Sequence, residues 1–264
     1  MRARKILNRF HQLVLLLLLT GLAGCASVPG GPTEGDPFES YNRAMFSFNE
    51  ALDENILYPI ADGYDRVMPD PVKTGVSNFF NNIDDLFVII NDILQFKFKQ
   101  ALQDTSRVFF NSTIGLFGLI DVATPMGMPK HNEDLGQTLA VWGVGRGPYI
   151  VLPFFGSRTL RSASGLAVES YYDPVYAIQD IPTLYGAVTM RLIDDRYHLL
   201  KAGRIVDKAA LDKYSFIRDA YLQNRLNLIY DGNPPHQNEP LPESNEEDLQ
   251  LENELELELD KSLR

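Results

Sequence analysis

The sequence predicts an all-α domain. Apolar residues recur at three- and four-residue spacing along the body of the chain, and the alternating pattern of a half-buried strand is nearly absent there. No internal repeat divides the chain. A helix-start signal stands at the head of the body: Asp36 at the cap, Pro37 at the first helical position and Glu39 three residues after the cap.

From that start Tyr41, Met45, Phe48, Leu52 and Ile56 form one apolar face, and Tyr58-Pro59 is expected to end the helix. A second helix is expected from about Pro71 to Phe96 and a third from about Lys99 to Asn111. Others are expected over Arg158–Glu169, Leu184–Leu200 and Asp207–Ile229.

The residues ahead of this body have the order that export requires. Arg2, Arg4, Lys5 and Arg9 give a positive start, and an apolar run from Leu13 to Leu19 is too short to span a bilayer. Leu22-Ala23-Gly24-Cys25 resembles the bacterial lipobox, with cleavage before Cys25 and acylation of that residue. Cys25 is also the only cysteine, so an internal disulfide is excluded and modification of the thiol needs no partner. Residues 1–24 are therefore expected to be a signal peptide, and residues 25–37 a lipidated tether holding N-acyl and S-diacylglycerol groups on Cys25. Two or three acyl chains anchor a protein stably where one does so only marginally. Ala26-Ser27 follows with no aspartate beside the cysteine, which resembles outer-membrane sorting.

The formal charge of −11 becomes −15 once the four basic residues of the leader are removed. Much of it lies from Asp231 onward, where eleven acidic residues face only Lys261 and Arg264. Residues 231–264 are expected to be an acidic, disordered tail, leaving 38–230 as the folded domain. With no basic field to hold a polyanion, nucleic acid is excluded as a partner. No run after the leader approaches the ~20 apolar residues of a spanning helix.

No catalytic constellation emerges. His131, His198 and His236 do not share the spacing that puts metal ligands on one helix face, and no Gly-x-Ser-x-Gly elbow occurs. Gly143-Val144-Gly145-Arg146-Gly147-Pro148 lacks the lysine-serine/threonine ending of a phosphate loop. Its alternating glycines fit a hairpin able to change shape, and equally a rigid one. Asp84-Asp85 and Asp194-Asp195 read most simply as solvated faces or helix caps. The chain is expected not to be an enzyme and to need no cofactor or metal.

The apolar runs are the informative feature. Phe79-Phe80 with Leu86–Ile90 is too contiguous for a single buried stripe, so that helix is either central to a core or set in lipid. The same choice applies to Tyr149–Phe155, where Pro153 argues against a continuous helix.

Several ordered motifs carry a resemblance. They are Asp36-Pro37-Phe38-Glu39-Ser40-Tyr41-Asn42-Arg43, Ser77-Asn78-Phe79-Phe80-Asn81-Asn82, Asn91-Asp92-Ile93-Leu94-Gln95 and Phe110-Asn111-Ser112-Thr113-Ile114-Gly115. Then come Gly136-Gln137-Thr138-Leu139, Trp142 through Tyr149, Leu152-Pro153-Phe154-Phe155-Gly156 and Arg218-Asp219-Ala220-Tyr221-Leu222. Together they resemble the MlaA (VacJ) family of outer-membrane lipoproteins. Leu135 and Ser162 depart from it, where phenylalanine and an acidic residue are usual.

The resemblance implies a single ring-shaped helical domain in the inner leaflet of the outer membrane, with a central amphipathic channel. It implies removal of mislocalised glycerophospholipid from the outer leaflet, transfer to a soluble periplasmic carrier, and association with a trimeric porin. Phe79, Phe80, Phe87, Ile89, Leu152, Phe154 and Phe155 would then face the membrane, and Gly143, Gly145 and Gly147 would form a hairpin by the channel mouth. The competing readings are a structural porin-associated lipoprotein and a periplasmic lipid or cell-wall hydrolase.

Overall fold

The structure, a computed structural model, describes residues 36–234. The signal peptide, Cys25, nearly all of the tether, His236 and most of the acidic tail lie outside the described residues.

Helix α1 spans Glu39–Leu52. Asp36 does not cap it: its carboxylate is buried and accepts hydrogen bonds from Asn42 Nδ2 (2.8 Å) and from the Tyr214 hydroxyl. Nor does Tyr58-Pro59 end the helical path. A π-helical turn, Asp53–Leu57, widens the backbone just ahead of the proline and leads into α2, Tyr58–Val67. A widened turn accommodates the ring that would clash with a regular i−4 carbonyl. The stop comes at Met68-Pro69, where both residues are extended.

Helices α3, Asp70–Leu94, and α4, Phe98–Thr113, follow the expected boundaries closely and pack antiparallel as a pair. A short helix, α5 (Leu135–Val141), escaped the sequence reading. Asp134 caps it by accepting from Gln137 N at 2.9 Å.

The sequence reading also missed a two-stranded antiparallel hairpin, β1 (Tyr149–Leu152) and β2 (Gly156–Thr159), with Ile150 opposite Arg158. One side of β1 is closed by α1. Asn42 donates to Tyr149 O (3.1 Å) and accepts from Val151 N (2.8 Å). Asn49, two turns on, donates to Leu152 O (2.9 Å) and accepts from Phe154 N (2.8 Å). Two asparagine amides thus stand in for a third strand and satisfy backbone groups that a buried edge would orphan.

Helix α6 (Leu160–Tyr172) starts where the strand ends, through a capping box. Thr159 accepts from Ser162 N, and Ser162 Oγ accepts from Thr159 N at 2.8 Å. Serine at 162, a departure from the usual acidic residue, thus fills the reciprocal capping position and also bonds the Tyr221 hydroxyl at 2.6 Å. After a 3₁₀ turn, Pro174–Ala177, the long α7 runs from Ile181 to Ala209. The expected Asp207–Ile229 helix is broken at Ala210–Asp212, and α8 (Lys213–Ile229) begins afresh with Asp212 as its cap. Arg43 ties α1 to that cap, 2.7 Å from Asp212.

The distribution of polarity is inverted. Among the described residues, nineteen polar or charged residues are buried against eleven apolar ones. The buried face of α3 holds Lys73, Ser77, Asp85, Asn91 and Asp92, and that of α4 holds Asp104, Arg107 and Asn111. The opposite faces carry Leu86, Ile90, Ile93, Phe98, Leu102 and Phe109, all exposed. Such a pair buries hydrogen-bonding groups and leaves its grease outside, the reverse of a water-soluble bundle. No helix among the described residues is long and apolar enough to cross a membrane.

Candidate functional site: an amphipathic cavity inside the helical domain

The helices enclose a cavity of about 770 Å³. Its wall is built from α3, the segment before α5, the hairpin, α6, the 3₁₀ turn, α7 and the end of α8. The lining is mixed. Phe87, Val88, Leu166, Val188 and Leu192 give apolar surface, while Asp84, Lys130, Glu169, Asp173 and Arg191 give charge.

Most of that charge is balanced within the wall. Arg191 reaches from α7 to Asp84 on α3, and its Nη1 lies 2.6 Å from Asp173. Lys130 is paired with Asp85 behind the wall. Glu169 accepts from Leu135 N at 2.7 Å and from Asn91 at 3.1 Å. Burial pushes the Asp84 carboxyl up to about 6 against the opposing charges of Arg191 and Lys130. It likewise raises Glu169 and Asp195. Arg158, on β2, also lines the cavity; among the described residues no carboxylate pairs with it, and its Nε is buried without a hydrogen bond.

Behind the wall lies a polar seam between α3, α4 and the segment leading to α5. Arg107 Nε lies 3.6 Å from Asp85, His131 Nδ1 2.8 Å from Asp104, and Lys97 Nζ 2.7 Å from Glu133. Thr138 donates to Asn91 at 2.7 Å, and Gln95 donates to Glu133 at 2.8 Å. Burial, and then the adjacent carboxylates of Asp104 and Glu133, drive the Asp92 pKa upward.

The expected site residues are placed unevenly. Phe79 is exposed, but Phe80 is buried under the Arg191 guanidinium and Phe87 turns to the cavity. Ile89 and Leu152 are half-buried. Phe154 and Phe155 are exposed at the hairpin turn and line the cavity, so they edge it rather than only the surface. Gly143, Gly145 and Gly147 do not form the hairpin; they make the loop from α5 into β1 and are not among the cavity-lining residues. Gly143 and Gly147 have φ of +85° and +68°, and a Cβ at Gly147 would sit 2.9 Å from Leu160 Cβ. Asp84-Asp85 and Asp194-Asp195 are not solvated caps, since Asp85 and Asp194 are buried and the other two line the cavity. Arg158 and the asparagine brackets were not singled out from the sequence; no local pattern marks them.

Ser77, His198 and Asp194 converge on one spot, a grouping worth testing against hydrolysis. Ser77 Oγ lies 2.8 Å from His198 Nε2 and donates to Asp194 at 2.7 Å. In a nucleophilic triad the carboxylate holds the far imidazole nitrogen and leaves the hydroxyl free to be deprotonated. Here the carboxylate holds the serine itself and sits 3.7 Å from the same His198 nitrogen. The cluster ties α3 to α7. Among the described residues no group of histidine, cysteine and acidic side chains is disposed to hold a metal.

The family model for the MlaA lipoprotein matches residues 34–228. The chain belongs to the MlaA lipoprotein family. A relative in Escherichia coli K12, the intermembrane phospholipid transport system lipoprotein MlaA, is 36% identical over 242 residues, covering 89% of this chain and 95% of that one. The protein of the same name in Haemophilus influenzae is 30% identical, covering 88% and 95% respectively. A solved structure described as the structural basis for maintenance of bacterial outer membrane lipid asymmetry matches with a TM-score of 0.64 at 32% identity. It covers 75% of this chain and 99% of its own. The family's helical fold is therefore this chain's fold.

Proposed function

We propose that this lipoprotein carries glycerophospholipid through its central cavity, taking it from the outer leaflet of the outer membrane for return through the periplasm. The observation that carries the reading is an amphipathic cavity in a domain whose α3 and α4 turn apolar faces outward and polar faces inward. A lipid crossing a membrane must shield its charged phosphate from hydrocarbon while its chains stay out of water. A cavity lined both by Arg158 and by Phe87, Val88 and Leu192 offers both environments. A volume of about 770 Å³ holds the headgroup and glycerol region with part of the chains.

In the same reading, Cys25 bears the lipid anchor, and the outward faces of α3 and α4 rest in the periplasmic leaflet. A soluble carrier takes the lipid onward, and a trimeric porin holds the domain in place. The family relationship supports the lipid anchor and the phospholipid transfer.

Deletion of the gene tests the function. Phospholipid should accumulate on the cell surface, measured by outer-leaflet labelling and by sensitivity to detergent with EDTA. Unchanged surface lipid in the deletion strain rejects it. Serine in place of Cys25 should leave part of the processed protein sedimenting with membranes, because the apolar faces form a second attachment.

A further inference from the structure

A second cavity, of about 360 Å³, opens between the glycine loop, the start of α6 and one face of α8. Its polar side holds three arginines: Arg146 from the loop, Arg161 from α6 and Arg225 from α8. Among the described residues no carboxylate lines it. Arg225 is committed to Asp134 through a two-pronged pair, with Nη2 2.9 Å from Oδ1. Among the described residues Arg146 and Arg161 have no ion pair. Arg161 donates one bond, to Val144 O at 2.8 Å, and its Nε is buried with no hydrogen-bond partner.

This concentration of positive charge runs against the molecule, whose net charge is −11. Burial, and the adjacent Arg225 charge, pull Arg161 below the usual guanidinium range. A half-buried guanidinium beside a second one, without a counter-anion of its own, is costly, and planar forks are suited to phosphate oxygens. Leu222, Leu226 and Ile229, at helical spacing on α8, continue the cavity as an apolar wall.

We infer that Arg146, Arg161 and the apolar face of α8 form a phosphate-binding site outside the central cavity, one that accepts an organophosphate with an apolar or glycerol extension. A phospholipid headgroup and a small soluble phosphate share that chemistry; only the lipid source rests on the transport reading. The site also gives the glycine loop a ligand-dependent role. Arg161 holds the loop through Val144 and through its own backbone, whose N–H donates to Arg146 O at 3.3 Å. An anion drawing Arg146 inward would then fix the loop.

The chain supplies its own reporter. Trp142, its only tryptophan, immediately precedes Gly143 and is half exposed. The full lipidated protein in detergent micelles is titrated with sn-glycerol 3-phosphate and, separately, with dihexanoyl phosphatidylglycerol, reading Trp142 emission. The wild type should saturate, and Arg146→Gln/Arg161→Gln should need about tenfold more ligand. Arg146→Gln alone, on an exposed loop that the fold does not depend on, should need about threefold more. That single variant decides the matter where the double variant fails to fold.

Tighter binding of the phosphatidylglycerol marks a lipid headgroup as the source; equal binding marks a soluble phosphate. Either result supports the site. Wild-type and variant curves that coincide in both titrations, or no saturation by either ligand, overturn it. A protein that binds neither yet restores surface lipid in a deletion strain leaves the transport reading intact. One that binds but restores nothing overturns transport alone.

Discussion

The seam between α3 and α4 and the wall of the central cavity are both polar, yet they are built differently. In the seam, charges meet charges: Asp85 is held by Lys130 and approached by Arg107, and Lys97 bonds Glu133. In the cavity wall, Arg158 is left over and Asp84 holds its proton more tightly than a solvated carboxylate does. Adjacent residues make the contrast: Asp85 is sealed into the scaffold and Asp84 looks into the hole. Paired polar groups hold α3 and α4 together beside the few apolar residues buried there. Unpaired ones leave capacity for a ligand. A buried polar network is favourable only when its members are satisfied, so the two regions should answer mutation in opposite ways.

Arg107→Ala should be the most damaging change. It removes a buried cation beside Asp85 and a donor to Thr124 Oγ1 at 3.0 Å, costing about 3–5 kcal/mol in denaturant unfolding. A loss below about 1 kcal/mol would mean that the seam is not the scaffold. Gly165→Ala should come next. Its Cβ would lie 2.7 Å from Gly136 N, so α5 and α6 must separate, at about 1–3 kcal/mol. Gly145→Ala, which meets nothing within 4 Å, is the control and should be nearly neutral.

Burial raises both aspartates, and a pH series on an Asp84 variant isolates that residue's share. The Asp84 pKa is raised from its unfolded value of 3.8 to about 6 in the fold. The folded state therefore binds more protons than the unfolded one between those values, and this group's contribution to stability declines as pH climbs through that window. Asp84→Asn should lose that decline, so its melting temperature should gain on the wild type from about pH 4 to pH 6. A constant offset across the series would contradict the assignment. The smallest effect on stability is expected at Arg158→Gln, within about 0.5 kcal/mol, because no partner is lost. Its phospholipid occupancy after purification, read by native mass spectrometry, should nevertheless fall. Normal occupancy with reduced stability would reverse the comparison.

Local patterns were legible where periodicity and caps agree. Helices α3 and α4 fall within two residues of their expected limits. Tyr58-Pro59 misled because a π turn can absorb a proline, and that is a matter of backbone geometry with no sequence signature of its own. The β1–β2 hairpin was invisible because its edge partner is α1: Asn42 and Asn49 satisfy a strand more than a hundred residues away in sequence. Asp84-Asp85 read as solvated because a carboxylate pair says nothing about partners such as Lys130 and Arg191, which arrive from distant segments.

The sequence by itself determined the helical class, the apolar stripes of α3 and α4 and the motifs that mark the family. These depend on residue type and spacing within one segment. Only the tertiary structure decided which stripe is outside, that Phe80 is buried while Phe87 meets the cavity, and that Arg158 and Arg161 have no counter-charge among the described residues. The physical reason is that burial and charge pairing are properties of neighbours in space. A helix with one apolar and one polar face obeys the same periodicity whether water or lipid lies outside it.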